Sequence, residues 1–206
     1  MNIWNFDLRS LAAASILILS ACSAEPSKDA GSADETTPEQ NGAAPSTGSD
    51  AAVQSDAVLA VDGEGLRLFN PTSGSASPIP FGRPQADVLA PLERMRGPAG
   101  QGVNQDCGAG PVEYASWPDG LSLVFQDGRF AGWGLDGRAA GALTTASGIG
   151  PGSTRAALDA VYGDVRVTRT SLGNEFSAGS FSGVLDGPNA TSLITDMWAG
   201  TSCVAR

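Results

Sequence analysis

Hydrophobic residues are distributed along this chain in three regimes. One apolar run, Leu11 to Leu19 with Ser15 inside it, stands near the N-terminus. Residues 23–56 then carry almost no apolar bulk, Val53 being the one aliphatic side chain larger than alanine. From residue 57 onward, short apolar runs alternate with glycine-rich punctuation. Period-two alternation predicts strands, and a spacing of three or four predicts helices.

Val58-Leu59-Ala60-Val61 and Leu66-Arg67-Leu68-Phe69 flank Asp62-Gly63-Glu64-Gly65 and predict a hairpin. Val112 to Trp117 predicts a strand. Leu121 to Phe125 and Phe130 to Trp133 predict two more, with Asp127-Gly128 as the turn that sets Phe125 opposite Phe130. Further strands are expected at Val165 to Thr170, Glu175 to Ala178, Ser180 to Leu185, Ser192 to Ala199 and Thr201 to Val204.

Two segments have helical spacing. In the first, Pro84 suits the opening turn, Val88, Leu89, Leu92 and Met95 share a face, and Gly97 ends the run. Pro91 lies inside it and predicts a kink or a shorter helix. In the second, Ser153 or Thr154 caps a helix bearing Leu158, Val161 and Tyr162, and Gly163 ends it. The helices align at an offset of 70, matching Gly82, Val88 and Leu92 with Gly152, Leu158 and Tyr162. The expected fold is α+β and mostly β: two helix-plus-antiparallel-meander units around a shared core, in a single domain over 57–206.

Gly150-Pro151-Gly152-Ser153-Thr154, Leu158 and Tyr162-Gly163, with Gly82 and Val88 in the other copy, carry a resemblance. A glycine turn, a hydroxyl cap, a short amphipathic helix and a meander are similar to the small lipoprotein of the outer-membrane β-barrel assembly machinery. The tandem arrangement is similar to β-lactamase-inhibitor protein. The resemblance implies binding to other proteins, without catalysis.

The N-terminal run is under half of the apolar length a bilayer demands and fits a removable export signal over residues 1–21. Leu19-Ser20-Ala21-Cys22 resembles the lipobox of bacterial lipoproteins, which implies a diacylglyceryl thioether and an N-acyl chain on Cys22. Several acyl chains anchor stably where one binds reversibly. A signal cut near Ala21 or Ala24, with Cys22 incidental, is the alternative; the small residues before the cysteine favour the lipobox. Ser23 in place of Asp resembles outer-membrane sorting. Residues 22–56 are then the lipidated cysteine and a disordered acidic tether, since so little apolar surface cannot offset the entropy of ordering. Seven acids against Lys28 leave residues 23–56 at −6. Flexible-coil scaling gives such a segment a reach of roughly 30–35 Å.

Of the formal charge of −10, residues 57–206 carry −4, from 14 acids and 10 arginines. The arginines are scattered, and nucleic acid needs clustered positive charge, so it is disfavoured as a partner. With Cys22 used for lipidation, Cys107 and Cys203 form an even pair in an oxidising compartment and predict a disulfide closing 203 − 107 + 1 = 97 residues. Free thiols, or two thiolates on a metal with carboxylates, are the other readings.

The chain has no histidine, which excludes a histidine-based serine or cysteine hydrolase. Asp62, Asp119, Asp127, Asp136 and Asp186 each precede glycine and read as turn residues rather than catalytic acids. Gly148 to Thr154 lacks a P-loop lysine and reads as a capped turn. Trp117, Trp133 and Trp198 read as core before they read as a binding face. The run Asp106 to Trp133, with Cys107-Gly108-Ala109-Gly110-Pro111 and Trp117-Pro118-Asp119-Gly120-Leu121, resembles short lipoproteins of Gram-negative bacteria, some labelled aspartate-semialdehyde dehydrogenase. The residues give that activity no support: there is no histidine base, no G-x-G-x-x-G between a strand and a helix, and no room for two such domains. The sequence predicts no catalytic, cofactor or metal residues. It predicts an envelope lipoprotein at the outer membrane that binds or assembles with an envelope protein. A periplasmic small-molecule or glycan binder, or a disguised hydrolase, is the alternative.

Overall fold

The structure, a computed structural model, describes residues 57–204. The signal at 1–21, the lipidation site Cys22 and the tether to residue 56 lie outside the described residues.

The first hairpin forms as its alternation predicts. Strands β1 (Val58–Asp62) and β2 (Gly65–Phe69) pair from Val58↔Phe69 to Asp62↔Gly65. A third strand, β3 (Ala76–Pro80), adds to β2 and completes a three-stranded sheet. Pro78 and Pro80 hide it in the sequence, because proline donates nothing to a ladder and is tolerated only at an edge.

Two helix-plus-meander units follow. The first is α1 (Gln85–Arg96) with β4 (Gly100–Asn104), β5 (Val112–Ser116), β6 (Leu121–Gln126) and β7 (Arg129–Leu135). The second is α2 (Arg155–Val161) with β8 (Arg166–Thr170), β9 (Gly173–Ala178), β10 (Phe181–Leu185) and β11 (Ile194–Gly200). Their strands make one antiparallel sheet in the order β4-β5-β6-β7-β11-β10-β9-β8, so the last strand of each unit pairs with the other at the centre.

The units repeat in detail. Gly82 and Gly152 both have φ +87. Their N–H groups donate to Phe130 and Ile194, which donate back to Arg83 and Ser153; Gln85 and Arg155 donate to Gly128 and Ser192. Each helix is thus pinned at its start to the first residues of its unit's last strand. That strand carries a β-bulge in both copies: Ala131 is the extra residue opposite β6, and Thr195 the extra residue opposite β10.

One core serves both units. Leu121, Leu123 and Phe125 of β6 are buried with Val88 and Leu92 of α1, Leu158 of α2, and Phe176 and Phe181 of the second meander. Each such side chain contributes roughly 1.5–3 kcal/mol on leaving water. The small sheet joins the same core through Leu59, Val61, Leu66 and Ile79, and the Trp133 indole donates to the Asp62 carbonyl at 2.7 Å.

Three expectations are corrected. Pro91 does not shorten α1, which runs its full 12 residues. The buried Val88, Leu89 and Leu92 on either side outweigh the one helical hydrogen bond that proline forfeits. Val161 is 44% exposed rather than on the apolar face of α2. Residues Thr201 to Val204 are not a strand. Gly200, at φ +70, turns the chain out of the ladder.

Candidate functional site

Strand alternation gives the large sheet two unlike faces. Leu121, Leu123, Phe125, Phe130, Trp133, Leu135, Met197 and Ala199 point into the core. The alternate positions Ser122, Val124, Ser182 and Val184 remain partly exposed on the side away from the helices. On that side, adjacent strands place Ser182 beside Trp198, Trp198 beside Gly134 and Gly134 beside Ser122. A neighbouring row sets Glu175 beside Val184 and Val184 beside Asp196.

The C-terminal segment straps over one half of this face. The Thr201 N–H donates to the carbonyl of the bulge residue Ala131 at 2.8 Å. A side chain at Gly132 would stand 2.0 Å from the Thr201 carbonyl oxygen, so only glycine lets the strap pass there. Cys203 is joined to Cys107 in the β4–β5 loop, with S–S 2.16 Å and Cα–Cα 5.0 Å. The strap therefore leaves the central strand β11, crosses β7 and reaches toward the β4 edge.

Strap and sheet enclose an open cavity of about 620 Å³, within the range of ligand pockets. Val112, Tyr114, Val124, Val184 and Trp198 line it, with Thr201 to Val204 on the strap side and Leu172 from the β8–β9 turn at the other end. Trp198 is only 8% exposed although it lies on the face without helices, while Tyr114 is 40% exposed.

Two carboxylates enter the cavity lining, Asp136 and Asp196. Asp196 lies in β11 one step from the Leu135↔Met197 pair, and Asp136 directly follows the end of β7. The Arg138 guanidinium folds back on Asp136, with donor distances of 2.6–3.1 Å. Its hydrogen bond is the main cause that holds the Asp136 carboxyl below its ordinary range, and the carboxylate in turn raises the Arg138 value. Among the described residues Asp196 has no ion pair or side-chain hydrogen bond. Among the described residues no arginine or lysine lines the cavity.

The other residues singled out in the sequence are dispersed. Asp62 pairs with Arg67 and accepts from the Glu64 N–H, and Asp119 pairs with Arg96 at the end of α1. Burial lowers the Arg96 guanidinium from its ordinary value. Asp127 takes φ +52 in the β6–β7 turn, and Asp186 accepts from the Leu193 N–H. Trp117 and Trp133 are core residues whose indoles donate to the Gly97 and Asp62 carbonyls. Thr154 caps α2 by accepting from Ala157 at 3.1 Å, so the Gly148 to Thr154 turn is built around a helix cap. Gly132-Trp133-Gly134-Leu135-Asp136-Gly137 has dinucleotide-fingerprint spacing, yet its first four residues lie within β7.

Among the described residues no group of three or more His, Cys, Asp or Glu side chains is placed to hold a metal ion. Tyr114, Val184 and Asp196 were missed in the sequence, and register was the one signal that could have found them. Set against protein-family models, curated proteins and solved structures, the chain finds no match.

Proposed function

We propose that this domain is a non-catalytic binding module that docks an envelope protein on the helix-free face of its large sheet. The observation that carries the reading is the asymmetry of that sheet. One face is sealed by two helices and a second sheet, while the other keeps Tyr114, Val124, Val184 and Trp198 around an open cavity. Apolar and aromatic side chains left on an otherwise polar surface mark interaction sites, and Tyr and Trp dominate interface energetics. The turn-bound aspartates and the absence of histidine from the chain also favour binding over hydrolysis.

The lipobox at Leu19 to Cys22 supports a membrane anchor for this module, at the outer membrane, with residues 23–56 as the spacer. The test is affinity capture from native envelopes with the wild-type chain, a Val124→Arg variant and a Val161→Arg variant. A partner retained by the wild type and Val161→Arg but lost by Val124→Arg supports the reading. Equal retention by all three contradicts it.

A further inference from the structure

We infer that the partner presents an arginine-bearing apolar segment, and that its guanidinium seats at Asp196. The inference rests on the docking reading above and names the chemistry that face selects.

The internal repeat supplies the first argument. Gly132 and Asp196 are equivalent, each following the bulge residue of its unit's last strand. In the first unit that position lies under the strap, against the Thr201 backbone. In the second unit the equivalent position belongs to Asp196 and lines the open cavity. Residues Thr201 to Val204 thus show that a polypeptide segment fits across this face, and among the described residues they lie over the first unit's half of it.

Charge supplies the second. Asp196 and Asp136 both line the cavity. Arg138 neutralises Asp136 but leaves Asp196 without a partner among the described residues. The nearest base on the row of Trp198 is Arg166 in β8, three strands and roughly 14 Å away. A partly apolar half-face with an uncompensated carboxylate is complementary to a cation on an apolar segment. Arginine suits it better than lysine, because its planar fork binds a carboxylate in bidentate fashion and stacks on an aromatic such as Trp198.

The test is a titration of the isotope-labelled full-length chain, followed by amide and indole NMR shifts. Three acetylated, amidated pentapeptides serve as probes, with arginine, citrulline or glutamate at the centre between valines. Saturable shifts at Val184, Asp196 and the Trp198 indole are expected with the arginine peptide. Affinity should fall at least tenfold for the citrulline peptide, and further for the glutamate peptide. Asp196→Asn should lose at least tenfold in arginine-peptide affinity while its melting temperature stays equal or rises, which separates a docking role from a structural one. Equal binding of the arginine and citrulline peptides at this face overturns the cation preference and leaves the docking face standing. Shifts confined to other surfaces, no saturable binding, or unchanged affinity in Asp196→Asn also overturn the inference; the capture experiment judges the docking face separately.

Discussion

Gly82 and Gly152 hold the same backbone angle, φ +87, and make the same hydrogen bond to the first residues of the last strand in their units, Phe130 and Ile194. Seventy residues apart, they are one device used twice. Each turns the chain from a loop into a helix while pinning that helix to the sheet it covers.

Alanine at either glycine should therefore cost about the same. No atom stands within 4 Å of a side chain at Gly82, and at Gly152 only Ala140 does, at 3.5 Å. The penalty is then conformational, about 1–2 kcal/mol for a left-handed angle in an L-residue. Gly82→Ala and Gly152→Ala measured by urea unfolding should each lose that much, and the double variant the sum within about 0.5 kcal/mol. A neutral result at one site alone would break the equivalence.

The Cys107–Cys203 bond ties the end of the second unit to a loop of the first across a separation of 96 residues. Replacing both cysteines by serine should cost about 2–5 kcal/mol. Intact mass after alkylation without reductant should show neither Cys107 nor Cys203 modified in the purified chain. Two alkylated thiols in that chain would contradict the strap.

Asp136 gives an acid signature. Its folded pKa is depressed, chiefly by the Arg138 hydrogen bond. Its contribution is therefore present above the unfolded value and is lost as pH falls below 3.8 and through the lower folded value. The carboxylate is 39% exposed, so screening limits the effect to about 0.5 kcal/mol. Asp136→Asn should lower the urea midpoint slightly at pH 7 and leave it unchanged once the wild-type carboxyl is protonated. An equal loss at both pH values would assign the effect to packing instead.

How much of this was legible in the sequence depends on the local signal. Asp127-Gly128 specified its turn because few residues tolerate the successive φ values of +52 and +68, and Phe125 faces Phe130 as that turn requires. The helix starts were legible through Pro84 and the hydroxyl cap at Ser153 or Thr154, and Gly82 and Gly152 were legible as matched positions of the repeat. Strand β3 was hidden by its prolines, and β4, Gly100–Asn104, by having Val103 as its only large apolar residue. Asp196 was invisible for a different cause. Nothing local marks it, because its meaning comes from a bulge at Thr195 and from the cavity it lines with residues of the other unit.

The most direct measurement of the central claim is a photo-crosslinking scan in native envelopes. A photoreactive residue is placed in turn at Val124, Ser182 and Val184 on the helix-free face, and at Val161 and Arg94 on the helices. The account predicts a discrete protein adduct from the first three positions and none from the last two. Adducts from the helix positions alone, or no adduct from the sheet face, would contradict it.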